Sequence, residues 1–600
     1  MSYLEPKKVL SQVRFEPLIH WTDKKELKEH KGKKPGNNLF QDSTFSKGLE
    51  LREKRFDLIV GNPPWKLGKL DLDVQEYLNE NKLPQQIMCA YLHYMPNFIT
   101  DGTISLISAV KILFNTGKVY DNFRQTFFST YSIDAIINLA VVRSIIFKNA
   151  TSPGAIFIYK KKTDLDKNYI TYCIPKSVEV IKRRHSIVID ASEVKFLPLR
   201  EILKNDTKIF KVAMWGNVRD LKLIEKIKLV EPIKSYITDK EWGVGLKIKD
   251  ENAKRGNPHL KEYPLLPTEN IKRYYTPTES LDLLGERHDS FRLNSKAIFN
   301  SPIVLVKEGT SDSEFCSSFI KSNCVFLSSA LGISIEGKDE NFHKALVACL
   351  NSSIATYYFF ITSSSWGIDK GGRVQNNDAL SFPALPYVMK EGTINKLAKA
   401  VDEIILLKSS GNLDFNLEKQ INSIEKQIDD IIYKELYLSE NDKALIHDVL
   451  SYSVALRNNY NSSHAESFAD NSMIESYAKT LITTLGTIIG NKDKGFWVEV
   501  IESKTAIDLI RVIALHFNND YENGSCNTVN YQNISGLLHE INQDTFVQHS
   551  ESIYYRKLIK YFKKDSNSIY LIKPNQKKFW TLSQALNDAD NLILDLIQNN

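Results

Sequence analysis

The sequence predicts an α/β protein: a partial Rossmann-like sheet over residues 1–195, an α+β domain over 196–390, a helical region over 391–458 and a small mixed α/β domain over 459–600. Three observations lead there. Apolar runs and helical stretches alternate between Phe56 and Lys160, the alternation stops near residue 200, and a seam of apolar residues at helical spacing appears after residue 415.

Phe56 to Val60 is a short apolar run that ends in Gly61-Asn62-Pro63-Pro64, as expected for a buried strand entering a loop. Gln85 to Ile99 carries a helical pattern, Thr103 to Val110 is apolar, Val119 to Thr130 is again helical, and Ile133 to Leu139 and Gly154 to Lys160 are strand-like. Strands alternating with helices predict crossover connections on a sheet. Beyond residue 200 come short β-like segments, loops and many Lys, Asn and aromatic residues. Leu417, Ile421, Ile424, Ile428 and Ile431 are spaced 4, 3, 4 and 3 apart. That seam lasts about two heptads, which fits a hairpin packed on its own domain better than a partner-binding coil. A polar linker from Asn459 to His464 precedes the last domain.

A chain of 600 residues exceeds one hydrophobic core. Its 42% hydrophobic and 25% charged residues are ordinary for a globular protein, and the net charge of +6 permits a nucleic-acid partner without requiring one. The six cysteines show no CxxC spacing, which argues against a zinc knuckle or a disulfide framework. No apolar stretch reaches the roughly 18 residues that span a bilayer. A cytoplasmic protein with no metal and no membrane partner is expected.

The candidate chemistry centres on Asn62-Pro63-Pro64-Trp65. Ligands of open α/β sheets bind beyond the carboxyl ends of the strands, where Asn62 would stand. Its side-chain oxygen and the carbonyl of Pro63 can both accept hydrogen bonds from one exocyclic amine, and the rigid Pro-Pro unit holds them in place. Trp65 offers a face for a stacked base, an interaction worth about 1–3 kcal/mol. An amine inside a duplex is out of reach of such a site, so the base must be flipped out.

The run Phe56-Asp57-Leu58-Ile59-Val60-Gly61-Asn62-Pro63-Pro64-Trp65 resembles motif IV of the amino-methyltransferases, in the branch of large bacterial restriction–modification enzymes of type IIG and TaqI kind. Asn38 to Ser43 is similar to that family's motif III, which implies that Asp42, with Phe40 beside it, holds the adenine of S-adenosylmethionine; Asn62 would also touch the cofactor. Asp101 to Ile107 resembles motif VI. Phe147, ahead of Ser152-Pro153-Gly154, resembles motif VIII, whose aromatic ring packs on the flipped base, although the spacing needs an extra residue. Pro264 to Tyr274, Leu350-Asn351-Ser352-Ser353 and Phe382 to Pro386 are similar to pieces of the family's target-recognition domain. The resemblance implies a DNA adenine-N6 methyltransferase of a restriction–modification or phage-defence system, with double-stranded DNA as substrate.

The family also carries a glycine-rich turn, after a first strand, for the methionine end of the cofactor. The sequence offers only Gly243-Val244-Gly245 and Gly371-Gly372, neither between an apolar strand and a helix. Fifty-five residues precede motif IV, fewer than a βαβαβ half needs at about 30 or more per βαβ unit. The expectation is therefore a split enzyme, with the missing half on a second protein subunit; a frameshifted reading frame is the rival. Nuclease or translocase subunits are further expected partners. Asp190 with Glu193-Val194-Lys195, and Asp493 with Glu502-Ser503-Lys504, lack the spacing of a nuclease site.

Lys247, Lys249, Lys254, Arg255, Lys272, Arg273, Lys307 and Arg373 are candidate DNA contacts in the middle domain. Trp366 fits either a loop tip inserted at DNA or a buried anchor, and Tyr357 to Phe360 reads as core. Two other classes stay open: an inactive recognition subunit that keeps a methyltransferase shape, and an RNA or protein-glutamine methyltransferase.

Overall fold

A computed structural model of the chain describes residues 55–598, apart from 64–69, 71, 148–151, 163–167, 182–183, 190–192, 248–257, 286–295, 311–313, 369–371, 410–414, 459–462, 490–494, 503–509, 519, 531–535, 542–558 and 564. The fold is mixed α/β. The chain divides into two compact units, the first running to Pro175 and resuming over Val194–Thr207, the second holding the remainder.

The first unit contains strands β1 (Leu58–Gly61), β2 (Thr103–Ala109), β3 (Tyr131–Asn138), β4 (Gly154–Lys161) and β5 (Tyr169–Cys173). The hairpin of β6 (Ser177–Ile181) and β7 (Arg184–Val188) then goes with the second unit, and β8 (Val194–Pro198) returns to the first. The expected boundary at residue 195 therefore falls inside β8. The sheet order is β1-β2-β4-β3-β5-β8. Strands β1, β2, β3 and β5 share one direction, while β4 and β8 oppose them.

Local sequence accounts for these elements. In β2, Ile104 and Leu106 alternate with Thr103, Ser105 and Ile107, so one face is buried and the other half-exposed. Gly102 lets β2 start against β1, because a Cβ there would lie 2.3 Å from the carbonyl oxygen of Phe56. Helix α1 (Leu72–Glu80) leads to α2 (Ile87–Tyr94), whose first six residues are all buried. Helix α3 (Lys118–Thr130) follows Gly117, at φ +109, and buries Phe123, Phe127 and Phe128. Phe127 meets the ring of Tyr159 on β4 at 5.2 Å, and the Tyr159 hydroxyl donates to the carbonyl of Leu92 on α2 at 2.8 Å. Ile59, Ile104, Leu106, Phe157, Tyr159, Ile136 and Tyr172 form the buried face of the sheet.

The second unit begins its main sheet with an irregular stretch in which Tyr274 adopts φ +73. The sheet order is Tyr274–Tyr275, Ser317–Ile320, Ile303–Lys307, Ala330–Ile333 and Trp242–Val244. Helix Glu340–Asn351 starts at Asp339, whose carboxylate accepts from Phe342 N–H at 2.9 Å. Helix Ser353–Thr362 follows after a 57° bend at the Ser352 cap. Tyr357 to Phe360 are buried in it. Asn351, at the bend, pairs with both backbone groups of Ser317: its oxygen accepts from N–H and its Nδ2 donates to the carbonyl, each at 2.8 Å.

Helices Glu391–Ser409 and Phe415–Glu435 pack on each other, and the first also packs on Glu340–Asn351. Ile424 and Ile428 are buried in the seam, while Leu417, Ile421 and Ile431 are half-buried. The spacing thus makes a hairpin on its own unit. The last region is a sheet ordered Cys526–Asn530, Trp497–Glu502, Ile510–His516, Ser568–Pro574 and Ile559–Lys563, with helices Asn471–Ile489 and Leu582–Gln598 contributing to its core. Among the described residues no single helix is long and apolar enough to cross a membrane.

Replacing Asn351 by Ala strands the N–H and carbonyl of a buried strand residue, a loss of about 2–4 kcal/mol. Thermal unfolding should show a lower Tm for N351A, with Ser352→Ala, which removes a helix cap, costing less.

Candidate active site

Asn62 directly follows the last residue of β1 and is exposed, whereas Pro63 is buried. A buried ring immediately after an exposed side chain fixes the backbone from below while leaving the amide group accessible. Pro64 and Trp65 lie outside the described residues, as do Phe40 and Asp42.

The four co-directional strands end on one edge of the sheet, at Gly61, Ala109, Asn138 and Cys173. The β3–β4 loop leaves Asn138 and returns at Gly154, which pairs with Ala109. Its ends are held by Leu139 N–H to Gly154 carbonyl at 2.9 Å and by Val110 N–H to Pro153 carbonyl at 3.0 Å. Phe147, in that loop, is half-buried, and its N–H donates to the carbonyl of Arg143 at 2.7 Å. Topology therefore brings the Asn62 loop and the Phe147 loop to the same sheet edge.

Two further residues at this edge are not singled out by the sequence. Asn138, buried at the end of β3, donates from Nδ2 to the Tyr172 hydroxyl at 2.8 Å and accepts from Ala140 N–H at 3.0 Å. Ser108, next to last in β2, is buried, and among the described residues its hydroxyl has no partner. The signal available was a polar residue closing an apolar run, the pattern that marks Asn62. Burial raises the Tyr172 phenol above its ordinary range, so it stays protonated.

In the second unit Lys247, Lys272 and Arg373 are exposed and Lys307 is half-buried; Lys249, Lys254 and Arg255 lie outside the described residues. Two of the expected DNA contacts are corrected. The guanidinium of Arg273 binds Glu425 at 2.5 Å, Glu314 at 3.2 Å and the carbonyl of Asn351, so its charge is spent inside the unit. Lys408 Nζ donates to the carbonyl of the same residue at 2.7 Å. Trp366 is an anchor and not a loop tip: it is 2% exposed and lies edge-on to Phe360, with ring centroids 5.6 Å apart. Its neighbour Ser364 is also buried, bonding Asp378. Gly243 and Val244 lie in a strand antiparallel to Ala330–Ile333, with Gly245 just after it, so they form no turn opening a helix.

Arg273, Glu314, Ser353, Glu425 and Asp429 line a polar cavity of about 160 Å³. Burial pushes the Asp429 carboxyl up to about 6, against hydrogen bonds from Ser353 N–H at 2.8 Å and Oγ at 2.6 Å. Among the described residues no group of three or more His, Cys, Asp or Glu side chains is arranged for a metal ion.

Trp366→Ala should lower stability by about 3–5 kcal/mol, read as a lower Tm, since a buried ring contributes packing. Asp429 gives a pH signature. An unfolded Asp titrates near about 3.9, so the folded state holds this proton more tightly. Its contribution is full below about pH 4 and is lost as pH rises through about 6. Asp429→Asn should therefore raise Tm at pH 7, by the equivalent of about 1–3 kcal/mol, and give no gain at pH 4.

Residues 4–145 match the family described as Eco57I restriction-modification methylase, a stretch that includes β1, Asn62, β2 and β3. No curated protein matches the sequence. Among solved structures, the chain is similar to the type IIL restriction-modification enzyme MmeI in complex with DNA, at 12% identity and a TM-score of 0.42, over 68% of this chain and 58% of that one. It is similar to the type IIG restriction endonuclease BpuSI at 11% identity and a TM-score of 0.25, over 63% of this chain and 54% of that one. The M protein of the type I restriction enzyme EcoKI matches at 14% identity and a TM-score of 0.18, over 23% of this chain and 29% of that one. The chain thus spans 58% and 54% of the first two. The match to the Eco57I restriction-modification methylase family is thus confined to residues 4–145 of this chain.

Proposed function

We propose that this chain is the catalytic and target-recognising component of a DNA adenine-N6 methyltransferase, working in a restriction–modification or phage-defence system. The observation that carries the reading is the exposed Asn62 anchored by the buried Pro63, at the carboxyl end of a strand in a methylase-related segment.

In this reading a target adenine is flipped from the duplex and stacks on Trp65 and Phe147. The Asn62 side-chain oxygen and the Pro63 carbonyl accept both hydrogens of its amino group. That draws electron density onto the nitrogen and turns its lone pair out of the ring plane, toward an incoming methyl. S-adenosylmethionine, when bound, supplies that methyl as a sulfonium electrophile. From this chain, Phe40, Asp42 and Asn62 are the residues that would hold it. The methionine end would be held by a second polypeptide; Gly243 and Gly245, one of the two candidate glycine pairs, lie in and just after an antiparallel strand. Exposed Lys247, Lys272 and Arg373, with Lys249 and Arg255, would set the register on DNA through phosphates.

The test is methyl transfer to duplex DNA by the chain together with its second polypeptide, with the product nucleosides separated by mass spectrometry. N6-methyladenine is expected, and methyl groups found only on RNA, on protein or on cytosine would overturn the reading. Asn62→Ala should lower kcat by about 10²–10³-fold, the cost typical of removing one group that stabilises a transition state. Its Tm should match that of the parent, because Asn62 is exposed. Full activity in N62A would instead support an inactive recognition subunit.

A further inference from the structure

We infer that Asn138 and Tyr172 are a positioning pair: they brace the root of the loop that carries Phe147 and so set where the methyl-accepting base is held. The inference rests on the methyltransferase reading proposed above and adds to it two residues that touch neither base nor cofactor.

Asn138 closes β3 and is fully buried. An amide in that position needs partners, because an unpaired polar group inside a core is costly. The strand register supplies one. Ile136 pairs with Tyr172 on β5, and Asn138, two residues on, shares the face of Ile136. Tyr172 is fully buried on that face, and its hydroxyl accepts from Asn138 Nδ2 at 2.8 Å. Ala155, opposite Asn138 on β4, has only a methyl group and leaves the amide room. The other end of the amide turns back on its own chain. Asn138 Oδ1 accepts from Ala140 N–H at 3.0 Å, the contact to the second residue on that forms an Asx turn. One side chain therefore bonds β5 and also sets the direction in which the chain leaves β3.

The path from this turn to Phe147 is short and constrained. Leu139, Ala140 and Val142 are buried, and the helical turn Arg143–Ile146 follows. Phe147 N–H then donates to the carbonyl of Arg143, the first residue of that turn. A change in the direction of departure at Ala140 is carried along these buried residues to the Phe147 ring. The burial that keeps the Tyr172 phenol protonated makes the bond to Asn138 a fixed strut across the neutral range. Placement of this kind has large kinetic leverage, since a shift of about 1 Å in a bound reactant can slow a reaction about 10²-fold.

The test is a double-mutant cycle on methyl transfer to duplex DNA, in the same complex as for Asn62→Ala, with hydrogen–deuterium exchange of the same proteins. Asn138→Ala should lower kcat by about 10–10²-fold and leave the KM for S-adenosylmethionine unchanged. Tyr172→Phe, which keeps the ring and the Asx turn, should lower kcat in the same direction by less. In a Phe147→Ala background each should change kcat by less than about twofold, because both act through Phe147. Amide exchange should quicken over residues 139–147 and stay as in the parent over Thr103–Ala109. Tyr159→Phe, which removes a buried hydroxyl bonded to the Leu92 carbonyl, should lower Tm without lowering kcat. Equal losses of kcat with and without Phe147, or unaltered exchange over 139–147, would overturn the inference. Quickened exchange there in a complex that methylates no adenine would remove the proposed activity and keep the brace. Adenine methylation by Asn138→Ala at the parent rate would do the reverse.

Discussion

Hydrogen bonds join strands within a sheet, but side chains leave it on two sides, and at least one side needs an apolar cover to hold the layer in place. The first unit depends on that constraint. Helices α2 and α3 supply one cover, through a cluster in which Phe127 touches Phe157 and Tyr159, and Tyr159 is tied to the carbonyl of Leu92. That cover fixes the strands, and the fixed strands set the edge at which Asn62, Asn138 and the Phe147 loop gather. The site therefore rests on a layer with one face buried under helices, while Leu58 and Val60 are exposed on the other.

The second unit is organised around polar groups that close on one another. Asn351 clamps Ser317, Arg273 joins Glu425 and the Asn351 carbonyl, and Ser353 is held by Asp429. These contacts tie the sheet, the bent helix pair and the helical hairpin together. In the recognition role proposed here, such bracing would hold exposed cations such as Lys247 and Lys272 at fixed spacing.

The last region shows why polar constellations need burial as well as geometry. His516 lies 2.8 Å from Ser568 Oγ and 3.0 Å from Glu499, an arrangement reminiscent of a nucleophile relay. Ser568 is fully buried and its hydroxyl donates to the carbonyl of Ser566, while Trp497 stacks on the imidazole at 4.2 Å. These groups join neighbouring strands and offer a substrate no access. Lys573 plays a comparable part, fully buried and bonded to Asp588, the Tyr477 hydroxyl and the carbonyl of Phe579. Burial favours its neutral form and the ion pair opposes that, so the pair is held by its surroundings.

What was legible in the sequence was local. Period-two alternation in β2, helical spacing from Leu417 to Ile431 and the Pro-Pro unit after Asn62 each act through nearest neighbours along the chain, so the α/β class, the helical hairpin and the candidate site could be read there. Charge and aromaticity were poorer guides. Arg273 and Trp366 have the side chains of DNA contacts, yet Glu425, distant in sequence, holds Arg273 inside the unit, and Trp366 packs edge-on against Phe360 of the helix before it. Ser108 and Asn138 reach the candidate site only because β2 and β3 end on the same edge as β1. The sequence by itself determined which segments become strands and helices, since that follows from local periodicity. Only the tertiary structure decided that one face of the sheet is buried and the other open, because a face is made of residues from several strands and is covered, or left bare, by elements far away along the chain.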